Sequence, residues 1–364
     1  MLNLGNLGCQ KRLKLTWNQL FVIFLMLFLT ACNFSFSENE PDVSQIQANI
    51  KLVRFEKELF NLDSQNLYAG VQSLIQKYPA FSNLYFIQLT QLTDKLDTIR
   101  PEFLNQLKAF LRDSLTLILF NKSQIEFSDD DELLKELKKS VKYLKYYFPN
   151  ETDPVFYTLL SNFGYGNFIF SESQNTNGIG IGLEFFLGTS FDYKYVDPKN
   201  PVFSNYLTRS FNKEHLLKKS FEAFVEDQLA VSKASQFLDF IIQNGKKLYI
   251  LSKIIPGIQD TVLFEFTPAQ MNWCNQNKVE IWSYFLDQNL LYSTELLKFK
   301  KYVSPSPTSP GMPDSAPGQT GNYIGYHIVL NYVKNHPGLK PGDLLKLQDS
   351  QQFLKDSKFK PRNE

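Results

Sequence analysis

Apolar residues recur at helical spacing over two stretches between Phe237 and Tyr292, and the chain's strongest local signals gather there. In the first stretch Phe237, Leu238, Ile241, Ile242, Leu248 and Tyr249 form one stripe, while Gln243, Asn244, Lys246 and Lys247 fall opposite, which predicts an amphipathic helix. Gly245 lies within the stripe. A glycine inside a helix costs about 1 kcal/mol against alanine, so this one predicts a second backbone packed closely on that face. The second stretch opens with Thr267 as a hydroxyl cap, Pro268 at the first helical position and Gln270 placed to reach back to the cap. Met271, Trp273, Val279, Trp282, Phe285, Leu286 and Leu290 then supply a bulky face.

Elsewhere the period alternates between helix and strand. Residues 50–55 read as a short strand with Ile50, Leu52 and Arg54 on one side, and residues 56–120 are mostly helical by period, including LYFIQLTQLTDKL. A helix starting at Ser128 crowds Asp129, Asp130, Asp131 and Glu132 into its first turn and spreads lysines over its later turns, as the helix dipole favours. Its buried stripe is Leu133, Leu137, Val141, Leu144 and Phe148, its charges form a solvated face, and Pro149 closes it. Beyond Pro149, PVFYTLL and NFIF suit strands. In NGIGIGLEFFLG, residues 177–188, Gly178, Gly180 and Gly182 alternate with Ile179, Ile181 and Leu183, so a strand here has one apolar face and one almost bare. A bare face lets another backbone lie close, either a neighbouring helix or a bound peptide. The GxGxG order lacks the following helix of a dinucleotide fingerprint, and no cofactor is expected. Residues 214–231 form another helix, the five prolines of residues 304–321 mark a surface loop, and Ile324, Ile328, Val329, Tyr332 and Val333 face inward from a last long helix. The expected fold is α+β, predominantly helical with a small sheet, in one large globular domain over residues 49–364.

The N-terminus carries an address. Lys11, Arg12 and Lys14 precede an apolar run from Leu20 to Leu29, too short for a spanning helix and suited to a signal peptide over residues 1–31. Leu29, Thr30, Ala31 and Cys32 resemble a bacterial lipobox, which makes Cys32 the expected lipidation site, carrying palmitate-type acyl chains. Residues 32–48 form a polar tether. Without residues 1–31 the chain holds 35 Lys and Arg against 37 Asp and Glu, so no nucleic-acid partner is indicated. With Cys9 removed and Cys32 acylated, Cys274 is left alone, which excludes an intrachain disulfide and a cysteine metal cluster.

VRFEKELF at 53–60, YPAF at 78–81, YYFPN at 146–150, IGIGLEFFLG at 179–188, NGKKLY at 244–249, the segment 270–293, IGYHIV and SKFKPR occur in an order that, with the lipobox, resembles the gliding-motility lipoprotein GldB family of Bacteroidetes-type bacteria. The resemblance implies a membrane-anchored envelope lipoprotein facing the periplasm. It would be needed for gliding and the linked protein-secretion machinery, would act through other envelope proteins of that apparatus, and would have no established reaction. It also implies a glutamate before Gly245, where this chain has Asn244. The family is similar in layout to zincin metallopeptidases, whose chemistry needs two histidines four apart and a glutamate. The histidines here are His215, His327 and His336, and Lys219 stands four residues after His215, so a zincin-like architecture without a metal site is expected. In that layout a groove beside the strand Ile179 to Glu184 would accept a partner strand, with Gly180, Gly182, Glu184, Gly245, Tyr323 and His327 as candidate groove residues. The competing functions are an envelope hydrolase, metal-dependent or using Glu184 or Glu226 with His327, and a nutrient-binding lipoprotein.

Overall fold

The structure is a computed structural model that describes residues 40–229 and 235–363. The expected signal peptide, Cys32 and the first part of the expected tether lie outside the described residues. Residues Val43–Glu364 make one compact unit. Four strands, β1 (Lys51–Arg54), β2 (Val155–Leu159), β3 (Asn167–Ser173) and β4 (Thr176–Gly182), form a sheet in the order β1-β2-β4-β3. The first three neighbours run parallel and β3 is antiparallel to β4.

Helices of eight residues or more are numbered in chain order: α1 (Leu67–Lys77), α2 (Pro101–Arg112), α3 (Ser114–Glu126), α4 (Asp130–Tyr147), α5 (Leu216–Gln228), α6 (Phe237–Ile254), α7 (Pro268–Gln276), α8 (Lys278–Asp287), α9 (Leu296–Val303), α10 (Thr320–Asn335) and α11 (Ser350–Ser357). The fold is α+β and predominantly helical, as the patterning predicts. The sheet divides two cores. Phe156, Ile179 and Ile181 face the larger one, built with α4, α5, α6 and α10, while Val53, Tyr157 and Leu159 face a smaller aromatic one around Phe55, Phe81, Tyr85 and Phe86.

The bare face of the glycine strand belongs to the smaller core and is covered by a neighbouring strand. Phe168 pairs with Gly180 and Phe170 with Gly178 across the β3–β4 ladder. A Cβ on either glycine would lie 2.2 Å from the ring tip of its partner, so the two rings lie where side chains would otherwise stand. Gly182 is covered by the carbonyl oxygens of Tyr165 and Gly166, at 2.5 and 3.1 Å from a Cβ built there.

Gly245 does mark a close backbone approach. A Cβ there would lie 2.3 Å from the carbonyl of Gly325 on α10, and Gly325 in turn sits against the carbonyl oxygen of Ile241. The α6–α10 crossing is therefore a contact of bare backbones, and it fixes the centre of the larger core.

Four expectations are corrected. The helix read across residues 268–290 breaks at Asn277, which caps α7 and starts α8; the Thr267–Gln270 capping box forms as expected. LYFIQL is a π-helix, Leu84–Leu89, and no helix follows until Pro101. The loop at 304–321 is not purely surface: Ser309, Ala316, Pro317 and Gly318 are buried, and Ser309 Oγ bonds the Pro317 carbonyl at 2.6 Å. The acidic start of α4 is not simply a solvated face, since Asp130 binds Arg54 and Lys57 while Arg54 holds the buried Glu56 at 2.7 Å.

Candidate functional site

A cavity of about 420 Å³ opens between the start of β3, α5, α6, the helix Asp260–Phe264 and the N-terminus of α10. Its floor follows from two amphipathic helices that turn lysines inward. On α5, Lys218 and Glu222 lie one turn apart and pair at 2.8 Å; on α6, Lys247 reaches Glu222 at 2.9 Å and Glu226 at 2.8 Å. Glu265 approaches from the opposite wall and binds both Lys218 and Lys219, the latter at 2.6 Å. Glu222 and Glu265 thus each bridge more than one lysine.

Burial penalises the charges of Lys218, Lys247, Glu222 and Glu265, and the partners overcome it. The Lys218 ammonium, disfavoured by burial, is held above the ordinary lysine range by Glu222 and Glu265. Burial likewise works against Lys247, which Glu222 and Glu226 raise. Glu222 and Glu265, which burial alone would push up, are pulled down by the lysines, Glu265 to about 2 and Glu222 well below the carboxylate range. These four groups are driven away from neutrality, the reverse of what a general acid or base working near pH 7 requires.

Two left-handed residues line the cavity. Glu265, at φ +56°, ends the helix Asp260–Phe264, and the Phe266 N–H returns to the Thr261 carbonyl at 3.0 Å. Gln319, at φ +64°, starts α10. Each such non-glycine residue costs roughly 1–2 kcal/mol. Beside Gln319, Asn244 donates to Asn322 Oδ1 at 2.7 Å and to the Val303 carbonyl at 3.2 Å. The residue standing in place of the implied glutamate therefore joins α6, α10 and the end of α9 along one wall.

The structure does not gather the sequence-derived groove residues into one site. Both edges of β4 are hydrogen-bonded and its glycine face is filled, so no groove runs along Ile179 to Glu184. Glu184 is fully buried away from the cavity lining, where it accepts from Ser161 N (2.7 Å), Ser161 Oγ (2.8 Å) and Phe163 N (3.2 Å). Burial pushes its carboxyl up to about 7 against those three donors. Gly245 lies under α10. Tyr323 donates to Asn275 at 2.8 Å and packs on His327, whose Nε2 is buried without a hydrogen-bond partner. Burial lowers the His327 imidazole to about 3, and that of His215, bonded to Asn212 at 2.8 Å, to about 4. Among the described residues His327 shares no partner with Glu184 or Glu226, as the hydrolase reading would need. Among the described residues no group of three His, Cys, Asp or Glu is placed to hold a metal ion.

Lys218, Lys219, Glu222, Lys247, Glu265, Gln319 and Asn322 were not singled out as a site by the sequence. The available signal was the four-residue spacing of Lys218 and Glu222; nothing local ties them to Glu265, 43 residues further on.

Set against known families, the chain falls among proteins of bacterial gliding motility. The match is to the gliding motility protein GldB family over residues 37–361, and the chain belongs to that family. No curated protein and no solved structure matches it. Among the described residues no helix is long and apolar enough to cross a membrane.

Proposed function

We propose that this chain is a non-catalytic, lipid-anchored envelope protein of the gliding apparatus and its associated secretion machinery, and that it works by gripping a partner protein in the ion-paired cavity. Family membership supports the place in gliding. The observation that carries the non-catalytic reading is the cavity floor: lysines stand beside paired glutamates, and their mutual charge holds Lys218, Glu222, Glu265 and Lys247 ionised through neutral pH. Such a floor suits recognition of a charged segment by fixed charges and amides, which favours specificity over chemistry. The cavity also meets the start of β3, whose strand neighbour among the described residues is β4 alone, so its lining includes Gly166 and Asn167 at a sheet edge. A partner strand could pair there, in place of the glycine strand, with a side chain entering the cavity.

A deletion strain tests the reading. Loss of both colony spreading and export of secreted proteins, restored by the wild-type gene and abolished again by Cys32→Ala, is the expected result. Normal spreading with loss of growth on a single polymer would overturn it in favour of nutrient binding.

A further inference from the structure

Away from the cavity, the end of α8 and the start of α9 carry a cluster of exposed apolar side chains. Leu286, Tyr292 and Leu296 are about half exposed and Leu297 is 92% exposed. Leu286 and Tyr292 rim a hollow whose walls also include Glu295 and Lys298. On α9 the inward residues are Phe299, Tyr302 and Val303, so Leu297, Lys300 and Lys301, at positions i, i+3 and i+4, share the outward face. Lys298 is paired with Glu295 at 2.6 Å, whereas neither Lys300 nor Lys301 takes part in an ion pair among the described residues.

An almost bare leucine is common; one that shares its helix face with two lysines forming no ion pair among the described residues, next in the chain to a half-exposed leucine and five residues after a half-exposed tyrosine, is a pattern with a physical fit. Leucine side chains enter the acyl boundary, tyrosine prefers the headgroup level, and lysines reach anionic headgroups. We infer that the Leu296–Lys301 face is a membrane-docking surface that seats the folded body on an anionic lipid bilayer. The inference rests on the lipid-anchored placement proposed above: an acyl chain at Cys32 would hold the body within reach of the bilayer, and this face would set its orientation. A protein surface of opposite charge and a second copy of this chain are the other occupants the test must separate.

The full lipidated chain carrying Leu297→Cys is labelled with an environment-sensitive fluorophore. Cys274 does not compete, being fully buried with its thiol pushed up to about 12 by burial. A Tyr195→Cys chain, labelled at a site 76% exposed, is the reference. Both are reconstituted into vesicles of phosphatidylcholine with or without phosphatidylglycerol. The expected result is a several-fold rise in emission at position 297 in anionic vesicles and quenching by spin-labelled lipid, with neither at 195. Each of Lys300→Gln and Lys301→Gln should lower the docked-to-undocked ratio by on the order of fivefold. A chain that fails to float with the vesicles contradicts the lipid anchor. One that floats while position 297 responds no more than 195 overturns the docking surface. A rise that follows protein concentration and is indifferent to lipid charge also overturns it and assigns the face to self-association.

Discussion

Glu222 is the keystone of the cavity floor, and its neutral replacement gives the most direct measure of how tightly that floor is locked. Glu222→Gln keeps the shape and removes the charge that Lys218 and Lys247 share at 2.8 and 2.9 Å. Lys218 is only 4% exposed and Lys247 16%, so water compensates little. Removing one partner of a buried pair costs about 3–5 kcal/mol, because the remaining charge stays buried. Glu265 still serves Lys218, which places the expectation at the low end, about 3 kcal/mol. At roughly 2.1 cal/mol/K of unfolding entropy per residue, a unit of this length melts about 4–5 °C lower. The pH dependence has a definite sign. Glu222 and Glu265 have folded values below the ordinary carboxylate range, Glu265 at about 2. Their contribution is therefore present above about pH 4.5 and is lost as pH falls toward 2. The gap between wild type and Glu222→Gln should be full at pH 7 and close as pH falls from 5 to 2. Scanning calorimetry across that range is the assay. A gap under about 1 °C at pH 7, or one that does not change with pH, refutes the locked floor. The paired replacement Lys218→Met with Glu222→Leu should recover part of the loss, since an apolar pair leaves less charge unmatched.

Three further outcomes follow from other parts of the molecule. Gly180→Val must displace the Phe168 ring, 2.2 Å from the new Cβ, and should lose about 1–3 kcal/mol in urea titrations; an unchanged midpoint would contradict the ring-over-glycine packing. For Glu184, whose folded value of about 7 exceeds the unfolded 4.5, burying the carboxylate costs stability progressively as pH rises from 4.5 to 7. Glu184→Gln should accordingly gain relative to wild type across that window, by roughly 3 kcal/mol at most, and a difference that is flat in pH would argue against a strained carboxylate. Elemental analysis of protein purified without chelators should find no stoichiometric zinc, because no ligand set converges among the described residues; about one metal per chain would overturn the non-catalytic reading.

What the sequence made legible was local. The cap at Thr267, the acidic first turn of α4, the strand at Lys51–Arg54 and the close approach at Gly245 each depend on neighbours in the chain or on one residue's own steric character. The identity of the partner did not follow: nothing near Gly245 points to Gly325, 80 residues away. The glycine strand differs for a related reason. Its face is bare as the alternation predicts, but the occupant is the pair Phe168 and Phe170 in the preceding strand, visible only once the β3–β4 register is known. Lys246 and Lys247 fall opposite the apolar stripe of α6, and the period does not say what covers that side. A second packed layer covers them: Lys246 lies 4.8 Å from the centre of the Phe353 ring and Lys247 lines the cavity. The cavity itself joins α5, α6, the Glu265 turn and α10, and periodicity carries no information on which polar faces meet across a fold.

Filling the cavity is the most direct test of the proposal that it receives a partner. Ala223 is half-buried on α5 and lines it, so Ala223→Trp places an indole in that space while leaving every ion-paired residue unreplaced. In cells the variant should be lipidated, as abundant as wild type and unchanged in melting temperature, yet should neither spread nor support secretion. A strain that carries stable Ala223→Trp protein and glides and secretes as wild type would contradict partner binding in the cavity.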